Sequence, residues 1–289
     1  MEDDIGIQIL VDSCCDTTPE LRNRIGMLFA PLKVQVADGP QYTDTPALDT
    51  RKLLREMKAS KQAAGSACPS VEEYAEQMRR CDACIVVTLS GKLSGSYNSA
   101  RVARDMVLEE SPGKQIHILD SESASAGELR LALYLKELID AGEDFDTVVE
   151  KSTRFMESMR TLFVLEDLGN LVKNGRLNKV SGIVASVLSL CPIMSDDGHG
   201  EIRMAAKARG MKQALMKLTS LIAQETAGAA PRSLTLTMAY CNCPERAGLL
   251  RGGILESCPA VGRVIIVPTG GVSTVYANDG GIIVAYAAV

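Results

Sequence analysis

Residues Thr88–Ala100 read TLSGKLSGSYNSA, directly after the apolar run Cys84, Ile85, Val86 and Val87. An apolar strand that gives way to glycines and hydroxyls and then to a helix-compatible segment is the strand–loop–helix step of an α/β fold. Glycine lets the backbone turn sharply, and the first turn of the following helix presents unpaired N–H groups and the positive end of its dipole. Hydroxyls such as Ser90, Ser94 and Ser96 both donate and accept, so the segment suits a small anionic or polar group. By itself it reads equally as a serine-rich turn that caps its helix.

A second segment, GSACPSVEEY from Gly65 to Tyr74, bears on that choice. Ser70 followed three residues later by Glu73 is a capping box, and Pro69 pushes Cys68 towards an extended conformation. Ser66 is therefore expected in a loop just ahead of a helix. Ligand groups gather at the carboxyl ends of neighbouring parallel strands in α/β sheets, which makes Ser66 and Ser94 a candidate pair facing one crevice.

Alternation of strand and helix runs through the first half of the chain. Strands are expected at Ile7–Asp12, Phe29–Val36, Cys84–Leu89 and Gln115–Asp120, and helices from about Pro19, Asp49–Ser60, Val71–Arg80, Ser96–Glu110 and Ala126–Ala141. That order predicts a largely parallel sheet covered on both faces, with right-handed crossovers. Near Ser158 the pattern changes. A strand at Thr161–Val164, helices at Leu165–Lys173 and Lys179–Leu190, a hairpin through Ile193–Ser195, DDGHG and Glu201–Lys207, a helix at Gly210–Thr226, and strands at Leu234–Tyr240, Arg263–Pro268 and Gly281–Ala287 form a second α/β unit. Two domains, 1–157 and 158–289, with a ligand cleft between them are the expectation.

Composition narrows the functional classes. A chain of 289 residues with formal net charge -5 argues against broad nucleic-acid or anionic-membrane binding. The opening MEDDIGIQIL has no signal-peptide character, and the apolar stretch near Ile183–Met194 is broken by serines and Pro192 and is too short to span a bilayer. Nine cysteines, an odd number, fit reduced thiols in a cytoplasmic protein. Cys81 and Cys84 form C-x-x-C and Cys241 and Cys243 form C-x-C, but this is not the paired spacing of a zinc site. No cofactor is expected. Tryptophan is absent, so base-stacking platforms are not in view.

Seven segments in register resemble the DegV family of bacterial fatty-acid-binding proteins over nearly the whole chain. VDSCCDTTPE (Val11–Glu20) is similar to the family's first strand and Asp-rich turn, and APLKV with Tyr42-x-Asp44 to its second strand and following loop. GSACPS resembles the T-S-Q-P-S loop, and TLSGKLSGSYNSA the S-S-G-L-S-G-T-Y-x-S-A signature. LDSESASAG (Leu119–Gly127), KNGRL (Lys173–Leu177) and KARGMKQAL (Lys207–Leu215) resemble the D-S-x-x-x-S-x-G, K-G-G-R-I and K-x-R-x-x-K-A elements. The resemblance implies a binding protein that holds a long-chain fatty acid between two α/β domains and presents it to a separate ATP-dependent kinase, which makes an acyl phosphate for phospholipid synthesis. Carried over by motif, the head-group residues are Ser66, at the family's Thr position, and Ser94 with the Gly95 backbone, with Ser90 beside them.

The apolar residues Ile183, Val184, Val187 and Leu188, with Met194, are the leading candidates for the tunnel wall, although any one of them taken singly reads more readily as ordinary core. Arg176 and Arg209 are the arginines of two family elements, and the fixed donor fork of arginine suits docking of a kinase and its phosphate chemistry. Asp120, Ser121 and Ser125 are expected to organise their loop. The chain departs from the family at Ala67 and Cys68 inside the T-S-Q-P-S loop. It also has Tyr276 where many members carry a histidine followed by G-P-G; a phenol hydrogen-bonds an acid without being a cation at neutral pH.

Two rival classes remain on the sequence. A serine hydrolase needs a base held by a third group, yet the only histidines are His117, in a strand, and His199, in a turn, and no G-x-S-x-G occurs. A phosphate-ligand enzyme would use GKLSGS as a cradle, but that run lacks the G-K-[ST] ending of a P-loop.

Overall fold

The computed structural model describes residues 6–177 and 190–287 of the chain. The most apolar run of the first half becomes the central strand β6 (Ala83–Thr88), buried at every position. It lies between β1 (Gln8–Asp12) and β7 (Gln115–Asp120), with β2 (Leu28–Ala30) outside β1, and all neighbours are parallel. Burial on both faces is what a parallel strand under two helical layers requires. Cys84 and Val86 face α3 (Val71–Arg79) and α4 (Ser96–Glu110), while Ile85 and Val87 face α1 (Pro19–Ile25) and α5 (Ala126–Asp140).

The helix α5 is buried all round over its first two turns, Ala126–Leu133, which places it inside the molecule rather than on its surface. It touches β1 and β6 on one side and a second sheet on the other. Its Gly127 permits that closeness, because a Cβ there would overlap Ser123 Oγ. α6 (Phe145–Ser158) packs beside it, with Phe155 stacked on Tyr134 at 3.9 Å between ring centres.

The second sheet has six strands in the order β10 (Ile202–Ala208), β9 (Cys191–Asp196), β8 (Met159–Val164), β13 (Ile282–Ala287), β11 (Leu234–Tyr240) and β12 (Val261–Pro268). Only β11 and β12 are parallel. α8 (Gly210–Glu225) and α9 (Pro244–Ser257) cover its outer face. A third, antiparallel sheet of three strands, β4 (Gln41–Thr43), β3 (Lys33–Val36) and β5 (Ala64–Ala67), packs with α2 (Thr50–Ala59) and α10 (Gly271–Ala277). A short α7 (Gly169–Lys173) follows β8. No helix among the described residues is long and apolar enough to cross a membrane.

The expected hairpin forms as β9 and β10. Three expectations need correction. The single strand at Phe29–Val36 is two strands in different sheets, because Pro31 between them has no N–H to continue a ladder. Ser66 is not in a loop: it lies on β5, opposite Val34 of β3. The helix at Leu165–Lys173 begins only at Gly169, whose N–H is taken by Asp167 Oδ1 at 2.7 Å; Leu165 and Leu168 are buried core residues ahead of it. α6, α9, α10 and β4 lie beyond the sequence expectations. The expected helix at Lys179–Leu190 falls outside the described residues except for Leu190, which is not helical.

Candidate functional site

Between the three sheets lies a cavity with about 860 Å3 of atom-free space, its open mouth included. Its apolar wall comes from every layer: Leu89 and Leu93 after β6, Phe163 on β8, Ile202 on β10, Ile283 on β13 and Val272 on α10.

Two polar groups interrupt that wall. The first gathers Ser66, Ser94, Arg176 and Tyr276. Ser66 Oγ and Tyr276 OH share a hydrogen bond of 3.0 Å, bringing β5 and α10 together. Ser94 Oγ accepts from Ser96 N at 3.2 Å and shares a bond with Ser96 Oγ at 3.0 Å, which closes the turn into α4. Arg176 is tied into the same corner, its Nε donating to Leu93 O at 3.0 Å and its Nη1 to Asn174 O at 2.5 Å. It is the one cation among the lining residues described.

The second polar group is acidic: Glu122, Asp196 and Glu201, beside Ser123 and Thr161. Ser123 Oγ and Thr161 Oγ1 share a 2.6 Å hydrogen bond, and Thr161 N donates to Asp196 Oδ2 at 2.7 Å. Burial, and then the neighbouring Asp120 charge, push the Glu122 carboxyl up from its ordinary value.

Behind the cavity, carboxylates from early in the chain hold α10 in place. Asp44 accepts from Gly271 N at 2.7 Å, Val272 N at 2.8 Å and Ser13 Oγ at 3.0 Å. A Cβ on Gly271 would sit 2.6 Å from Asp44 Oδ1, so only glycine allows this approach. Asp16 accepts from Gly270 N at 2.6 Å and from Ser125 Oγ at 2.5 Å, and burial lifts its carboxyl to about 7 against those bonds. Ser125 is held at φ 58, an uncommon angle for a residue with a side chain, and it lines the cavity with Cys14 and Ser273. Burial, reinforced by the charge of Asp12, pushes the Cys14 thiol well above its usual range, so it is no thiolate nucleophile.

Ser66, Ser94, Tyr276 and Arg176 thus meet at one cavity. Ser90 does not line it: fully buried, it donates to Gly200 O at 2.8 Å and fastens the β6 loop to the hairpin. Gly95 is the residue before α4, with Cys68 Sγ 3.1 Å from where its Cβ would be. Met194 is packed in the core with β8 and α5 residues rather than on the wall. Arg209 precedes α8, exposed and away from the cavity. Ile183, Val184, Val187 and Leu188 lie outside the described residues. Neither His117 nor His199 lines the cavity. Asp120 does organise its loop, accepting from Gly91 N and Glu122 N, while Ser121 bonds Ser123 at both its N–H and its O. The acidic lining group and the Asp16 and Asp44 ties went unread in the sequence, although Asp16 stands in VDSCCDTTPE, Asp44 in the Tyr42-x-Asp44 element and Glu122 in LDSESASAG.

Comparison with known proteins gives these observations a context. The model of the DegV family, described as one of uncharacterised proteins, matches residues 6–288. A DegV domain-containing protein of Streptococcus pneumoniae is 34% identical over 284 residues, covering 96% of this chain and 98% of that one. A crystal structure of a DegV family protein from Ruminococcus gnavus, refined with vaccenic acid, is 42% identical with a TM-score of 0.91, over 98% of this chain and 100% of that one. The Fatty Acid Kinase (Fak) B3 protein of Streptococcus pneumoniae, loaded with linoleic acid, is 33% identical with a TM-score of 0.88, over 98% of this chain and 100% of that one. The chain described here belongs to the DegV family.

Proposed function

We propose that this protein binds a long-chain fatty acid, carboxyl group at Ser66, Ser94, Tyr276 and the Gly95 backbone, acyl chain along the apolar wall, and presents it to a separate ATP-dependent kinase. The observation that carries this reading is one cavity in which an apolar wall meets a hydroxyl cluster with one cation, Arg176, among the described lining residues. The vaccenic and linoleic acids in the two related structures support the ligand class, and the Fak B3 relative supports the kinase.

The two polar groups decide the orientation. A carboxylate is repelled by Glu122, Asp196 and Glu201 and attracted by Arg176, whose guanidinium suits a carboxylate. Hydroxyls that can donate satisfy an oxyanion whose burial without partners would be costly. The tail then supplies affinity, about 0.8 kcal/mol per buried methylene before binding costs. We place the division between the two domains at 157/158, where α6 gives way to β8, and assign Arg176 and Arg209 to engagement of the kinase. The protein acts as a substrate carrier and not as an enzyme.

Delipidated protein titrated with saturated acids of increasing length tests this reading. Affinity is expected to rise about fourfold per methylene until the cavity is full, following the transfer energy, and to fall in Ser94→Ala. Equal binding of short and long acids, or an unchanged Ser94→Ala, would refute it. For the partner, Arg176→Ala and Arg209→Ala are expected to slow ATP-dependent acyl phosphate formation by an added fatty acid kinase.

A further inference from the structure

We propose that Asp12 and Glu128, buried together behind the cavity, share one proton, with Asp12 ionised and Glu128 a neutral acid, and that this pair positions the loop carrying Ser94. Asp12 ends β1, next to the carboxyl end of β6. Its Oδ2 accepts from Leu89 N at 2.9 Å and from Tyr74 OH at 3.3 Å, and its Oδ1 from Cys14 N at 3.0 Å. One carboxylate thereby fixes the first residue beyond β6, where the chain turns towards Ser94, and the start of the Ser13–Asp16 turn.

Glu128 stands in the first turn of α5 and is 0% exposed. Neither of its carboxyl oxygens has a hydrogen-bond partner among the described residues. A Glu128 oxygen, an Asp12 oxygen and Cys14 Sγ lie within 4.8 Å of one another. The titratable groups around Glu128 are Asp12 on β1, Cys14, Cys15 and Asp16 in the turn after it, and Tyr74 on α3; the basic group that acts on that turn, at Cys15, is Arg22 of α1. Two ionised carboxylates this close in an apolar interior repel strongly, so one is protonated. The choice follows from the donors. Protonating Asp12 would weaken bonds from two amides and a phenol, whereas Glu128 loses nothing by being neutral and gains an O–H to donate. Burial pushes both carboxyls up; the amides of Leu89 and Cys14 pull Asp12 back, while the Asp12 charge drives Glu128 further.

The device follows from that arrangement. With Glu128 neutral, Asp12 keeps its charge and its grip on Leu89. A second charge on Glu128 at high pH raises the cost of that grip and loosens the Ser94 loop. The positioning role rests on the head-group reading of Ser94; the shared proton does not.

Three measurements on wild type and Glu128→Gln test it. At neutral pH, where Asp16 also contributes a carboxylic-acid band to both proteins, the infrared difference spectrum of wild type should show a further carboxylic-acid carbonyl component that Glu128→Gln lacks. The second is the unfolding equilibrium against pH. Glu128 has a higher pKa folded than unfolded, so its stabilisation is complete below the unfolded value and is lost as pH rises towards the folded one, about tenfold in the folding constant per pH unit. Glu128→Gln should lack this slope. Third, oleate affinity of the wild type should drop about tenfold as pH passes the upper end of that slope, where Glu128 ionises in the folded protein, as one interaction of about 1.4 kcal/mol is lost, while that of Glu128→Gln stays level. A missing infrared band, parallel stability curves, or a stoichiometric divalent metal in purified protein would overturn the shared proton. Level wild-type oleate affinity, with band and slope present, would overturn the positioning role. No oleate binding at any pH would instead overturn the head-group reading and leave the proton pair supported.

Discussion

Ser66 and Tyr276 are 210 positions apart in sequence and 3.0 Å apart at their oxygens. Each hydroxyl of such a pair orients the other, so that a lone pair and a proton are left facing the cavity in a defined direction. Tyr276→Phe keeps the ring and removes the orienting partner. It is expected to cost about 1 kcal/mol of fatty-acid binding, roughly fivefold in affinity, with little change in stability; calorimetric titration checks both. Ser66 and Ser94 were legible in the sequence because they sit in hydroxyl-rich motifs. The sequence singled out Arg176 for partner docking but not as a lining residue, since the contact that turns it inward is made to Leu93, far off in the chain.

At the scale of elements, α10 shows what burial patterns conceal. It is seven residues long and led by glycines, with nearly every position buried, so it has no amphipathic stripe to read. What defines it is Asp44, buried on a different part of the chain, which takes the N–H groups of Gly271 and Val272. Removing three hydrogen bonds to a buried carboxylate in Asp44→Ala should destabilise the protein by about 3 kcal/mol, and Asp44→Asn by roughly half as much. Urea denaturation measures both. The parallel strands were readable as continuous apolar runs. The small sheet was not, because β3, β4 and β5 have only three or four residues each and mix polar with apolar positions. Among the described lining residues that sheet contributes Ser66 alone, and the shortness of β5 is why Ser66 looked like a loop residue.

For the molecule as a whole, the cavity is assembled from residues between Cys14 and Ile283, and its walls are shared by strands of two sheets and the loops that leave the parallel one. A ligand that bridges these layers binds the folded state alone. Oleate at a free concentration of 100 times its dissociation constant is expected to raise the unfolding free energy by about 2.7 kcal/mol. Thermal unfolding of delipidated and loaded protein would show the shift, and identical midpoints would contradict binding across the layers. Class and architecture were legible because strand and helix alternate locally; the cavity was legible only through the motif resemblance, since no local pattern encodes which loops converge.

The strand order of the second sheet carries a temporal consequence. β13, last of the strands in chain order, occupies an interior place between β8 and β11. On a ribosome that adds residues from the N-terminus, β8 and β11 must wait with their pairing edges open until the final strand emerges. Such unpaired edges are the usual template for aggregation. The wall residue Ile283 lies on that strand, so the cavity is completed only after nearly all of the described residues have been made.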